Sequence, residues 1–404
     1  MSDSISHPIY DAALNIKEEL VQWRRHIHRN PEPSMQEHET AAYVAEHLRE
    51  FGLSEVQTGV GETGVVGLIR GEGDATVALR ADMDALELPE ENDVPYASEN
   101  PGVMHACGHD GHTTCLLGAA AILANHGSLP GNVKLIFQPG EEGRAGARKM
   151  IRDGCLRDPD VGAIAGLHLT NEVPSGYVGI RHGYWTAQSD SIDMTVHGQT
   201  GHASRPDQGV DSVAVTAQLL QTIQEFIGRH TSALDRKLVT FGSIQGGTRR
   251  NILAGSVALE GTIRTLEPRG REAVLDFIQN RLPTIAEAMG AELEVHIDEG
   301  YPPLHNDENV VNTMDAAARD LYGDDPVVDV PQPVLGAEDF AFYATEGNIP
   351  AAMCRLGTLD EEKGFTGALH STTFDFDDEH VLPIGAALMA NIALHMLKGD
   401  YLRS

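Results

Sequence analysis

Hydrophobic positions along the chain follow two different periods. Between residues 64 and 167, short runs are apolar at nearly every position: GVVGLI at 64–69, TVALRA at 76–81, VKLIF at 133–137 and AIAGL at 163–167. Runs of this length, separated by helical segments such as 113–125, predict a mostly parallel sheet buried on both faces. Upstream, residues 11–29 carry Leu14, Ile16, Leu20, Trp23 and Ile27 in a helical pattern, and residues 38–51 carry another. The expectation is an α/β layer architecture.

Near residue 186 the pattern changes to alternation. Ile192, Met194 and Val196 share one face of SIDMTVH, and a long amphipathic segment follows at 211–228. LVTFGSI (238–244) and VALEGTI (257–263) read as a strand pair, 268–288 as a helix, and LEVHI (293–297) alternates again. The order β-α-β-β-α-β is that of a ferredoxin-like domain, and alternation implies a sheet covered on one face only. We therefore expect a discontinuous α/β domain at 1–185 and 299–404, interrupted by a ferredoxin-like insert at 186–298. No internal repeat is visible.

Charge then removes whole classes of partner. The 404 residues include 60 acidic and 29 basic side chains, a formal balance of −31. Such a chain does not bind nucleic acid or an anionic membrane through general electrostatics. Six of the basic residues are Lys and twenty-three are Arg; a salt-rich interior and a GC-rich genome both give that balance. The first twenty residues lack a basic stretch followed by an apolar one, and no apolar run approaches the ~18–20 residues of a membrane span. Cys107, Cys115, Cys155 and Cys354 show no framework spacing. The expectation is a cytoplasmic protein whose cysteines are free or metal-bound.

Candidate chemistry gathers where the apolar strands end. In open α/β sheets ligands collect beyond the carboxyl ends of the strands. TVALRA runs into Asp82-Met83-Asp84, VKLIFQP reaches Glu141-Glu142 after Gly140, and AIAGL ends in His168. MHACGHDGHTT (104–114) adds Cys107, His109, Asp110 and His112, and ALHSTTFDF adds His370. Each of these alone has a bland reading, as packing, a solvated face or a core histidine. Repetition at the ends of at least three strands favours metal binding, because buried paired acids repel unless a cation neutralises them. Thiolate, imidazole and carboxylate are the ligands preferred by zinc and its first-row neighbours. A Cys107–His109 nucleophile–base pair is the competing reading, and it leaves the further acids and histidines unexplained.

These residues also carry a family likeness. The sequence resembles the M20 metallopeptidase superfamily, in particular its amidohydrolase branch of hippurate hydrolases, N-acyl-amino-acid deacetylases and auxin-conjugate hydrolases. The likeness covers nearly the whole chain, through WRRHIHRNPEPSMQEHETA (23–41), LRADMDAL (79–86), MHACGHDGHTT (104–114), FQPGEEG (137–143), GLHL (166–169), GHASRPDQGVD (201–211), GGTRRNI (246–252), GTIR (261–264), GAEDFAFY (336–343) and LHSTTFDF (369–376). It implies an aminopeptidase-like α/β domain with an inserted ferredoxin-like lid and two divalent metal ions, zinc or manganese foremost, with cobalt or nickel as alternatives. The implied ligands are Cys107, His109, Glu142, His168 and His370, with Cys107 replacing a histidine that most of the superfamily carries where Asp82 stands. Glu141 matches the general base and Asp84 the acid that orients the metal site. His202 matches a histidine that polarises the substrate carbonyl, in some members from a neighbouring subunit. Asn251 and Arg264 match substrate-binding positions, and Glu338 and Asp339 buttress the site.

The implied reaction is hydrolysis of the amide bond of N-acyl-L-amino acids or related small conjugates by a metal-activated water. A dipeptidase or carboxypeptidase with the same di-metal chemistry is the alternative, and a catalytically silent conjugate binder is the rival from another class. A homodimer through the lid is the expected assembly. The sequence departs from the family at Gly140, where Ala is common, at Asp207, where many relatives carry His, and at Arg249 and Arg250 in GGTRRN. These departures touch specificity rather than the proposed ligands.

Overall fold

The computed structural model describes His7–Gly399; the first six residues of the stretch read above for a leader lie outside the described residues. The chain divides into two compact units, one of Met1–Gly183, His305–Gln332 and Asp339–Ser404, the other of Tyr184–Leu304 and Pro333–Glu338. The short segment Pro333–Glu338 joins the second unit, which its hydrophobic pattern does not announce.

The first unit is built on an eight-stranded sheet. Its early strands are β1 (Glu55–Val60), β2 (Gly64–Ile69), β3 (Thr76–Asp82), β4 (Asn132–Gln138), β5 (Ala163–Pro174) and β6 (Val178–Ile180). The chain then enters the second unit through β7 (Gly183–Thr186), β8 (Gln188–His197), β9 (Lys237–Gly246), β10 (Ser256–Thr265) and β11 (Glu292–Glu299). It returns through β12 (Leu304–Asn306), β13 (Val327–Asp329) and β14 (Ala351–Leu359). The strand order of the large sheet is β1-β2-β4-β3-β5-β14-β6-β13. Its centre, β4-β3-β5-β14, is parallel throughout, and antiparallel pairs lie toward the edges. Strands β3 and β4 are buried at every position, as uniformly apolar central strands require.

Parallel register fixes where the chemistry emerges. Asp82 lies opposite Gln138, and Arg80 lies opposite Gly166, two residues before His168. The polar residues that follow β3 and β4 therefore lie at the same end of these strands as His168 of β5. Helices α1 (Pro8–Asn15), α2 (Lys17–Arg29), α3 (His38–Glu50) and α4 (His109–Ala124) belong to the same unit. The single helix read over 11–29 is two, broken at Ile16. Leu14 and Ile16, two apart, cannot share a face of one helix, and Leu14 is 44% exposed. Helix α4 starts earlier than the apolar pattern shows, because the left-handed Gly108 (φ 82°) turns the chain into it.

One sequence expectation needs correction. The helix Asp378–Leu397 is long and apolar enough by composition to cross a membrane, but 89% of its most apolar window is buried inside the fold. Its apolar length packs into the core with α4 and α1.

The second unit is a four-stranded antiparallel sheet ordered β11-β8-β10-β9. The helix Ser212–Arg229 connects β8 to β9, and a helical segment from Pro268 to Ala288 connects β10 to β11, giving the ferredoxin-like order. Ile192, Met194 and Val196 of β8 are buried together with Val257, Leu259 and Ile263 of β10. The helix read at 268–288 contains a π turn at Phe277–Arg281. Pro283 lies two residues beyond it and has no N–H to continue the regular ladder.

Candidate metal centre

The candidate centre is assembled from four backbone features at one edge of the large sheet. The first is the tight turn at Gly108, which puts Cys107 just before α4 and His109 on its first residue. His109 Nδ1 lies 2.8 Å from the Asp84 carbonyl and 3.2 Å from Asp84 Oδ1. Those acceptors take the Nδ1–H and leave Nε2 as the lone-pair nitrogen. That Nε2 is buried and has no hydrogen-bond partner among the described residues.

The second feature is the turn after β4. Gly140 sits at φ 57°, Glu142 at ψ 78° and Gly143 at φ 76°, so Glu141 and Glu142 leave a distorted turn rather than a regular helix. Glu142 N–H donates to Asp84 Oδ2 (3.0 Å), the oxygen that also accepts from the Ser34 hydroxyl (2.6 Å). Glu141 is buried and its Oε1 accepts the Asp339 N–H at 3.2 Å. The third feature is the middle of β5, just past its pairing with β3, where His168 Nδ1 donates to the Leu169 carbonyl at 2.6 Å and Nε2 lies 3.7 Å from Cys107 Sγ. The fourth is the loop carrying His370, whose φ of 63° is left-handed. His370 N–H donates to the Ala106 carbonyl, and its Nε2 lies 3.3 Å from Cys107 Sγ and 3.2 Å from Glu142 Oε1.

The structure thus brings all five predicted ligands together. Three sets each have ligand atoms within 4.8 Å of one another: Cys107, His109 and His168; Cys107, Glu142 and His370; and His109, Glu141 and Glu142. The donor chemistry and the orphaned His109 nitrogen fit divalent ions of the zinc series. Burial pushes the Cys107 thiol up to about 12, so only a strong local cation would hold it as thiolate. Burial, followed by the neighbouring His112, takes His168 well below the usual histidine value, which keeps it in the neutral ligand form.

A further cluster, Asp82, His109 and His112, satisfies the same distance test, but its chemistry is different. Asp82 already holds Arg80 at 2.6 Å, and it accepts from His112 Nδ1 at 2.6 Å. His112 Nε2 in turn accepts the Leu169 N–H at 2.8 Å. Burial opposes the charge on Asp82, yet His109, Arg80 and His112 hold its pKa well below the usual carboxylate value. These groups are spoken for by the protein itself and fix the segment that bears His168.

Residues 23–41 carry no role that the sequence alone assigns, and the structure supplies one. Arg24 is fully buried and pairs with Asp110 (2.7 Å), beside His109, and with Asp375 (2.7 Å), five residues after His370. His28 joins Asp110 (2.7 Å) to Glu90 (3.1 Å), and Tyr96 donates to Asp375 at 2.9 Å. Asp339, beside the Glu338 of the same motif, accepts from Arg80 (3.0 Å), Gln138 (2.7 Å) and the Ala147 N–H (2.9 Å). The only sequence signal for this support was the density of Arg, His and acidic residues in helices with an apolar face.

His202, Asn251 and Arg264 lie in the second unit. His202 and Asn251 occupy adjoining exposed loops, with a bridge between His202 and Ile252 and a bond from Ala203 N–H to the Asn251 carbonyl (3.1 Å). His202 Nδ1 accepts the Ser204 N–H at 3.1 Å, so the neutral ring carries its proton on Nε2. Arg264 is half-buried on β10, and no hydrogen bond or ion pair holds its guanidinium among the described residues. Burial lowers its pKa, with Asp190 opposing.

Comparison with known proteins adds an independent line. The family model for peptidase family M20/M25/M40 matches residues 78–395. Thermostable carboxypeptidase 2 of Saccharolobus solfataricus is 38% identical over 94% of this chain and 95% of its own length. The N-acetyl-L-cysteine deacetylase of Bacillus subtilis is 38% identical over 87% of this chain and 83% of its own. Among solved structures, the YxeP protein of Bacillus subtilis, a dinuclear metal-binding peptidase of the M20 family, superposes with a TM-score of 0.83. It is 31% identical, over 95% of this chain and 99% of that one.

Proposed function

This chain belongs to peptidase family M20/M25/M40 and is a hydrolase of amide bonds, and we propose that it cleaves N-acyl-L-amino acids or related small amide conjugates with the help of two divalent metal ions. The observation that carries the reading is the meeting of Cys107, His109, Glu142, His168 and His370 around a buried imidazole nitrogen that makes no hydrogen bond. Zinc or manganese suits this donor set best, with cobalt or nickel as alternatives.

Ions held by those five residues would supply Lewis acidity toward a water molecule and the amide carbonyl. Glu141 takes a proton from the attacking water on its carboxylate and delivers it to the departing nitrogen, the task of a positioned general base. Its place on the same distorted turn as Glu142 puts base and ligand under common control. Asp84 fixes the His109 tautomer through Nδ1 and holds the Glu142 amide with its other oxygen. His202 is suited to polarise the substrate carbonyl because its neutral form carries a donor at Nε2. Arg264, with no protein partner, and Asn251 are suited to a substrate carboxylate.

A homodimer through the second unit is supported by β9, an edge strand with an exposed outer half on which Ile244 is 59% exposed. A cytoplasmic location is supported by the four cysteines, all free.

The test is release of free amino acids from a panel of N-acetyl and N-benzoyl amino acids and dipeptides. It compares chelator-stripped protein with protein reloaded with Zn²⁺ or Mn²⁺. Metal-restored release from the acyl amino acids is expected. Preference for dipeptides would move the assignment to the carboxypeptidase side of the family, and failure with every metal would refute the reading.

A further inference from the structure

Glu37 is buried and lies outside the candidate metal centre. Its Oε1 accepts the N–H groups of Met35 and Gly140, both at 2.9 Å, and its Oε2 accepts the Thr63 hydroxyl. Among the described residues no Lys, Arg or His pairs with it. A buried carboxylate met only by neutral donors is unusual, since charge in such a place normally has a counter-charge.

The identity of the donors explains it. Gly140 opens the turn that carries both Glu141 and Glu142, and at φ 57° it lies outside any helical ladder. Its N–H would otherwise be an orphan at a buried position. Two residues before Met35 in the same segment, Pro33 pairs with Ala85, and Ser34 donates to Asp84. The segment thus grips the turn at two points: Glu37 on the amide before Glu141, and Ser34 on the acid that holds the Glu142 amide.

We propose that Glu37 is a positioning residue that sets the Glu141–Glu142 turn through the reach of its hydrogen bonds, not through its charge. The inference rests on the metallohydrolase reading above. Glu37 touches neither substrate nor ligand atoms, so it acts only through Gly140. Glutamine keeps the length, can accept both N–H groups with its carbonyl oxygen and can donate to Thr63 with its amide. Aspartate keeps the charge but is shorter by one methylene, about 1.5 Å, and cannot reach Gly140 and Thr63 together.

The experiment compares wild type, Glu37→Gln and Glu37→Asp after reloading with Zn²⁺. It measures kcat and KM on the best acyl amino acid, Zn²⁺ affinity by chelator competition, and thermal unfolding. Glu37→Asp should lose about 10–100-fold in kcat or in Zn²⁺ affinity, the usual cost of disturbing a support residue at a metal site, with KM little changed. Glu37→Gln should stay near wild type in both. Equal loss in the two variants, or full retention in Glu37→Asp, would overturn the proposal. Should Glu37→Asp fail to fold, Glu37→Gln alone still decides: retention supports the proposal and loss refutes it. Should the wild type hydrolyse no amide, the functional reading fails, while Zn²⁺ competition still tests Glu37.

Discussion

Gly140 offers a sharp test of how the site is packed. A Cβ added to Gly140 would lie 2.4 Å from Met35 Cε, 3.3 Å from Met35 Cγ and 3.1 Å from Arg144 Cβ. The first of these distances is impossible, so the Met35 side chain must move. Gly140→Ala therefore carries two costs: the left-handed φ of 57°, about 1–2 kcal/mol for a residue with a Cβ, and forced rotation of Met35, about 0.5–1.5 kcal/mol. Together they give a destabilisation of about 1.5–3.5 kcal/mol.

Only the second cost involves Met35, which is half-buried and unbranched. Met35→Ala should remove it, leaving the backbone term and the milder Arg144 contact. Urea unfolding of wild type, both single variants and the double variant at one metal concentration should show a coupling of about 0.5–1.5 kcal/mol in favour of the pair. The same cycle in kcat should follow, because displacing Gly140 moves the turn that bears Glu141. Additive free energies, agreeing within about 0.3 kcal/mol, would show that Met35 does not fill the space of the missing methyl.

The remaining predictions follow from the site. Glu141→Gln should retain metal while kcat falls by about 10²–10⁴-fold, whereas Cys107→Ala should lower metal occupancy; metal analysis beside turnover separates them, and an inactive Cys107→Ala with full occupancy would revive the nucleophile reading. His28 gives a pH signature: burial and Arg24 oppose its charge, but Asp110 and Glu90 raise its pKa above the usual histidine value. A raised folded pKa contributes stability that is present below the unfolded value near 6.5 and lost as pH rises through the folded value. Unfolding free energy measured from pH 6 to pH 9 should therefore decline in wild type more than in His28→Gln, and parallel profiles would refute it.

Legibility in the sequence tracked the uniformity of the environment. Strands β3 and β4, buried at every position, gave continuous apolar runs, and β8 and β10, covered on one face, gave clean alternation. Strand β14 is just as central, and its apolar run AAMCRLGTL is passed over in the sequence; as β3 carries Arg80, it carries Arg355. Its charge is met by Glu172 of β5, a partner 183 positions away that no local window contains. Asp84 and Glu142 were visible because each follows a readable strand, and His168 because it follows the apolar run AIAGL within β5. Glu37 and Arg24 were not, because their partners Gly140, Asp110 and Asp375 come from distant segments, and a buried acid or arginine in an amphipathic helix reads like a surface one.

The distribution of fixed cations separates the acids that support the centre from those that serve it. Arg80 neutralises Asp82 and Asp339, and Arg24 neutralises Asp110 and Asp375, all four buried within the fold. Each pair ties a ligand-bearing segment to a rigid element: Asp82 through His112 to the strand of His168, Asp110 beside His109, Asp375 behind His370. Glu142 and Cys107 have no Lys or Arg partner among the described residues, and the Cys107 thiol is held in its neutral state by burial. A buried acid already paired with arginine gains little from a divalent ion, whereas a carboxylate with no Lys or Arg partner, beside a thiol and three imidazoles, gains a great deal. Asp82, held by Arg80, therefore belongs with the supporting acids, whereas Cys107, just before α4, stands with the donors that we propose as ligands.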